Sequence, residues 1–112
     1  MKIAFTARGT TWDCMIEARF GRTDYLLLWD EEAQTLESFD NNEGKNEAHG
    51  AGPKMAKVLL DLKADVLITG NGPGENANAI LGKSGVKMYV GAGDMHVKEA
   101  YEAYKAGKLP LF

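Results

Sequence analysis

The side chains able to bind a soft metal are few and stand apart in the sequence: Cys14 beside Met15, His49, and His96 beside Met95. Thiolates, thioethers and neutral imidazoles are the donors that soft or borderline metals prefer. Glycines offer a second chemistry. The runs Gly70-Asn71-Gly72-Pro73-Gly74 and Gly91-Ala92-Gly93 are of the kind that turns backbone N–H groups toward an anion. Gly50 and Gly52, which follow His49 at a Gly-x-Gly-Pro helix start, add to them. Arg19, before Phe20-Gly21-Arg22, contributes a guanidinium that stays charged at any working pH. One cysteine in 112 residues excludes an intrachain disulfide and any four-thiolate zinc or iron–sulfur cage built within one chain. A metal held here needs another kind of site.

Several motifs fail on inspection. Gly70-x-Gly72-x-Gly74 approaches a dinucleotide fingerprint, but its third glycine comes one position early and it follows the fourth strand rather than the first. Gly82-Lys83-Ser84 matches the end of a phosphate loop, yet the earlier glycine that such a loop requires is Ala77. No Gly-x-Ser-x-Gly elbow occurs, and no sequence signature places Cys14 beside a base. The reading is therefore of a binding protein and not an enzyme. An enzyme acting on a small phosphorylated substrate through the glycine turn ranks last, for want of a general base.

Each candidate also has a purely structural reading. Cys14, next to Asp13 in a polar loop, is otherwise a small inert hydrophobe. His49 is otherwise a loop residue that shapes the helix start. His96 follows Asp94, which suits the N-cap of the last helix and would leave His96 in its first turn. Gly70, Gly72 and Gly74 serve a tight turn if it needs positive φ. Arg19 and Arg22 can pair with Glu17 or Asp24 at the surface, for only ~0–1 kcal/mol.

Composition narrows the partners. Thirteen Lys and Arg against sixteen Asp and Glu give a net charge of −3, which removes the electrostatic attraction on which nonspecific nucleic-acid binding depends. With 45% hydrophobic and 26% charged residues, the chain reads as one globular domain over residues 1–112. No apolar run approaches the ~20 residues of a membrane span, and Met1-Lys2-Ile3-Ala4-Phe5 is too soon interrupted for a signal peptide. A cytoplasmic protein without nucleic-acid or membrane partners is expected, as monomer or weak dimer.

The elements that must position these residues follow from periodicity. Ile3 to Thr6, Tyr25 to Trp29 and Thr35 to Phe39 read as three strands, the second apolar enough for burial on both faces. Pro53 opens a helix whose stripe is Met55, Val58, Leu59 and Leu62. Val66-Leu67-Ile68 is a short buried strand, followed by the glycine turn and a helix carrying Ala77, Ile80 and Leu81. Val86 to Val90 is the fifth strand. Val97, Ala100, Tyr101 and Tyr104 mark a last helix that Gly107 stops. The order βββαβαβα predicts an α/β fold, a five-stranded mixed sheet with helices on both faces. Ligands of such sheets sit beyond the carboxyl ends of the parallel strands, here Thr6 to Trp12, Thr69 to Glu75 and Gly91 to His96.

The same residues resemble a family. Arg19-Phe20-Gly21-Arg22 leading into Tyr25-Leu26-Leu27-Leu28-Trp29-Asp30 is similar to the dinitrogenase iron–molybdenum cofactor biosynthesis family, as is His49-Gly50-Ala51-Gly52-Pro53-Lys54. So are Ala64-Asp65-Val66-Leu67-Ile68 before its glycine turn, Gly85-Val86-Lys87-Met88-Tyr89, and Val97-Lys98-Glu99-Ala100 with Gly107-Lys108-Leu109. The resemblance implies a ribonuclease-H-like sheet without nuclease activity, and the carrying or insertion of preassembled metal–sulfur clusters between donor and acceptor proteins. Small standalone members such as the orange proteins are associated with molybdenum–copper sulfide clusters. A preassembled anionic cluster needs only one or two protein ligands, with N–H groups and cations around it, which suits a chain with one cysteine. Nitrogenase cofactor carriers often have His where this chain has Arg19, and a guanidinium has no lone pair to give a metal. That favours a standalone carrier.

The expectation is therefore a non-catalytic carrier of a metal–sulfur cluster containing molybdenum with iron or copper. Arg19, Gly50, Gly52, Gly70, Asn71, Gly72, Gly74 and Gly91 would hold the cluster, and His49, Cys14 or His96 would ligate metal. The alternative is a protein-interaction or regulatory module of the same fold that binds no cluster. Residues 1–50, with five basic and ten acidic side chains, would then face the partner.

Overall fold

The segment Lys2-Ile3-Ala4-Phe5-Thr6-Ala7 is buried from Ile3 onward, which only a strand in mid-sheet allows. The computed structural model, which describes residues 1–41 and 51–112, makes it the central strand. The elements are β1 (Lys2–Ala7), β2 (Tyr25–Asp30), β3 (Thr35–Asp40), α1 (Ala51–Asp61), β4 (Val66–Ile68), α2 (Glu75–Gly82), β5 (Lys87–Tyr89) and α3 (Val97–Lys105). The sheet order is β3-β2-β1-β4-β5. β1 is antiparallel to β2, with Ala4 opposite Leu28, and parallel to β4, with Phe5 opposite Ile68. β3 completes the antiparallel side and β5 the parallel side. The βββαβαβα order and mixed sheet are as expected.

Strand alternation divides the apolar residues between two cores. Ala4, Leu26, Leu28, Leu67 and Met88 face Met55 and Leu59 of α1 and Ala77 and Leu81 of α2. Ile3, Phe5, Leu27, Val66 and Ile68 face Val97 and Ala100 of α3. Helices therefore cover both faces, and β2 is buried on both. Beyond β5, Tyr89 bridges Leu111, while the Val90 N–H donates to the Pro110 carbonyl (3.0 Å) and the Phe112 N–H to that of Met88 (2.8 Å).

Helix ends follow local chemistry, with one correction. Gly107 stops α3 at φ 73°, and the Lys108 N–H donates to the Ala103 carbonyl (2.9 Å), a glycine-led helix stop. At the other end the N-cap is His96 and not Asp94. The carbonyls of Cys14 and Trp12 accept the N–H groups of Val97 (2.8 Å) and Lys98 (3.0 Å), so a strand-end loop satisfies donors that an Asp94 side chain would otherwise have to meet. Among the described residues no helix is long and apolar enough to cross a membrane.

Candidate functional site

β1 and β4 run side by side, so Thr6 and Thr69 stand next to each other at the sheet's carboxyl edge. Their hydroxyls lie 2.7 Å apart, and Thr6 also donates to the Glu17 carbonyl at 2.7 Å. Both threonines are buried, and each hydroxyl can donate and accept, so the pair and one carbonyl form a satisfied polar knot. This knot fastens the segment Glu17-Ala18-Arg19-Phe20-Gly21 across the strand ends. The Glu17 N–H donates to the Thr6 carbonyl (2.9 Å) and the Asn71 N–H to that of Ala18 (2.7 Å). Thr23 then ties the segment back to β1 through the Ala7 N–H and carbonyl (3.0 and 3.1 Å).

Two glycines of this edge, Gly21 and Gly70, are required by proximity to backbone. A Cβ on Gly70 would lie 2.6 Å from the Ala18 Cα and 3.0 Å from the Gly93 Cα. On Gly21 it would lie 2.6 Å from the Gly52 nitrogen, and on Gly72 it would overlap the Phe112 ring. Positive φ occurs at Gly91, not at Gly70, Gly72 or Gly74, so the conformational need expected there is absent, and Gly70 answers instead to its close approach to Ala18 and Gly93. The structure thus brings Ala18, Gly70 and Gly93 together, and packs the Phe20-Gly21 turn on the start of α1, where Gly52 in turn meets Ala77 of α2.

Two expected anion donors are already engaged. The Asn71 N–H is given to Ala18, and the Gly91 N–H to the Gly70 carbonyl (2.9 Å). Gly70 itself is buried. Gly74, by contrast, is exposed and caps α2 with no side-chain hydrogen bond; the first-turn N–H groups of a helix have no helical carbonyl to meet them.

Arg19 projects from the crossing segment, its side chain 65% exposed against 6% for Glu17. The Glu17 carboxylate accepts the Arg19 backbone N–H and a guanidinium N–H, both at 3.2 Å. Burial works to raise the Glu17 pKa, but the hydrogen bonds from Arg19 and the charges of Arg19 and Arg8 outweigh it and hold the carboxyl below the usual glutamate range. A buried anion thereby holds an exposed cation at the rim. Sequence placed Thr6 and Thr69 on the ligand edge and Glu17 as a surface partner of Arg19, but gave none of them, nor Ala18, a part in building the site. The available signal was a threonine at the carboxyl end of each of two strands that pair in parallel, Thr6 near the end of β1 and Thr69 directly after β4.

The soft donors are distributed differently. Cys14 is half-buried, packed against the core under α3, with the Gly9 backbone close to its Cβ. His96 is exposed, and its Nδ1 lies 2.6 Å from Glu99 Oε1. That bond, with a second from the His96 backbone N–H, holds Glu99 below the usual carboxylate range. His49 and Gly50 lie outside the described residues. Among the described residues no three of His, Cys, Asp and Glu are grouped to hold a metal ion. Two open grooves, of about 560 Å³ lined by Trp12, Lys98 and Tyr101 and about 480 Å³ lined by Met95, Glu102 and Lys108, flank α3.

The family model described as dinitrogenase iron-molybdenum cofactor matches residues 1–107. The chain belongs to that family. The apo form of the orange protein from Desulfovibrio gigas, similar to this family member, is 32% identical, with a TM-score of 0.92 over 99% of this chain and 92% of that one. A protein from Thermotoga assigned to the DUF35 family and provisionally named NifB is 33% identical, with a TM-score of 0.83 over 98% of this chain and 91% of that one. Among curated proteins, none matches the chain. Membership bears out the resemblance carried by the Phe20-Gly21-Arg22 and His49-Gly50-Ala51-Gly52 blocks, and the close structural likeness to the orange protein bears out the fold.

Proposed function

We propose that residues 1–112 form one non-catalytic cytoplasmic carrier domain, which takes up a preassembled anionic metal–sulfur cluster, molybdenum with iron or copper, and passes it between donor and acceptor proteins. The observation that carries this reading is the Glu17–Arg19 arrangement at the sheet's carboxyl edge, on the segment whose Ala18 carbonyl accepts the Asn71 N–H of the connection leading into α2. A cation held at the rim and helix-start N–H groups suit an anion that arrives with its own sulfides. Gly21, Gly52, Gly70 and Gly93 serve by letting the backbone segments meet. Asn71 and Gly91 contribute shape, and Gly72 and Gly74 border the cradle. His49 or Cys14 would supply the metal ligand, since a preassembled cluster needs few.

The test is to purify the chain without chelators, record its visible spectrum and measure molybdenum, iron and copper per chain, before and after incubation with thiomolybdate and copper or iron. Stoichiometric metal with charge-transfer bands is expected, weakened in Arg19→Gln and lost in His49→Ala or Cys14→Ala. A colourless, metal-free protein after incubation would overturn the carrier reading and put the interaction module first.

A further inference from the structure

Met15 and His96 face each other in an isolated antiparallel bridge. The bonds that flank it run from the Ile16 N–H to the Met95 carbonyl (2.9 Å) and from the Val97 N–H to the Cys14 carbonyl (2.8 Å). Met15 and His96 are therefore a non-hydrogen-bonded pair, the type in which facing Cα atoms are only ~4.5 Å apart and side chains lie closest. The residues on either side, Cys14, Ile16, Met95 and Val97, all belong to the core under α3. Alternation sends Met15 and His96 to the opposite, outer face, where Met15 is half-buried and His96 exposed.

The imidazole is also oriented. An ionised carboxylate only accepts hydrogen bonds, so Glu99 Oε1, 2.6 Å from Nδ1, favours the tautomer with the ring proton on that nitrogen and the lone pair on Nε2. A carboxylate on the far nitrogen is the usual support of a metal-binding histidine. A thioether and a neutral imidazole are soft or borderline, uncharged donors, suited to Cu(I) and poor for hard cations. Zinc asks for three or four ligands, which no His, Cys, Asp or Glu group among the described residues supplies.

We propose that Met15 Sδ and His96 Nε2 form a surface site for a soft monovalent ion, Cu(I) or its mimic Ag(I). It takes the bare ion and needs no sulfide cluster, so the carrier reading and this one stand or fall separately.

The purified chain is titrated with Cu(I) in competition with bicinchoninate under anaerobic reducing conditions, and with Ag(I) followed by NMR of methionine methyl and imidazole resonances. One ion per chain is expected, shifting the Met15 methyl and His96 ring signals. Met15→Leu and His96→Gln should each weaken binding at least tenfold, whereas Met95→Leu, on the core-facing side of the same bridge, keeps the wild-type affinity. Wild-type affinity in either ligand variant overturns the site, and so does loss of binding in Met95→Leu. Were a variant to disturb the fold, the shifts in the unaltered protein decide: Ag(I) that leaves Met15 or His96 unmoved refutes the pair.

Discussion

Replacing Gly21 by alanine tests whether the Phe20-Gly21 turn is set by its contact with α1. The new methyl would lie 2.6 Å from the Gly52 nitrogen, 2.8 Å from the Ala51 carbonyl carbon and 2.9 Å from the Gly52 Cα. The nearest is about 0.8 Å short of ordinary van der Waals contact. All three are backbone atoms, so no rotamer change relieves the overlap, and the helix start or the crossing segment must move. Overpacking of this kind costs ~1–3 kcal/mol, and a backbone-only clash belongs in the upper half, about 2–3 kcal/mol. At ~4 °C per kcal/mol for a chain of this length, Tm should fall by about 8–12 °C. Gly82→Ala is the matched control. A Cβ there meets nothing within 4 Å and φ is not positive, so alanine at the end of α2 should stabilise by ~0.4–1 kcal/mol. Urea unfolding followed by circular dichroism and by Trp12 and Trp29 fluorescence measures both. Gly21→Ala within about 0.5 kcal/mol of wild type would refute the close-approach argument.

Glu17→Gln should cost about 1 kcal/mol at neutral pH, a hydrogen bond to charge discounted for the exposed Arg19 partner. Because the folded-state pKa of Glu17 is lowered, its contribution is present above the unfolded value of ~4.3 and is lost as pH falls through the depressed one. The gap between variant and wild type should therefore close on the acid side, and urea titrations at several pH values check it. Tyr101→Phe removes the hydroxyl that donates to Glu31 at 2.6 Å; a loss of ~1–2 kcal/mol in the same assay is expected, with the ring packing on Phe5, Trp12 and Trp29 retained.

What sequence made legible was whatever depends on neighbours along the chain. Periodicity located β1, β2 and β4 and the stripes of α1 and α3, because burial selects apolar residues at fixed intervals. The crossing segment was not legible. Glu17 reads locally as a surface carboxylate beside Arg19, and only the strand ends beneath it make it buried. Gly70 reads as a turn glycine, whereas its need comes from Ala18, far away in sequence. Asp94 is a sound N-cap by type, but the carbonyls of Trp12 and Cys14 take its place. Each miss has the same origin: a contact supplied by another element changes what a residue is for.

The knot between Thr6 and Thr69 joins positions 63 residues apart. Loop closure over such a span is among the slow steps of folding, unlike the neighbouring hairpin of β2 and β3. The segment that presents Arg19 rests on that knot, so it cannot be seated until β1 and β4 have met. Completing the sheet and displaying the rim cation are one cooperative event. A partly folded chain, even with its hairpin formed, lacks that seated cation, so on the carrier reading proposed above cluster uptake would track the native population.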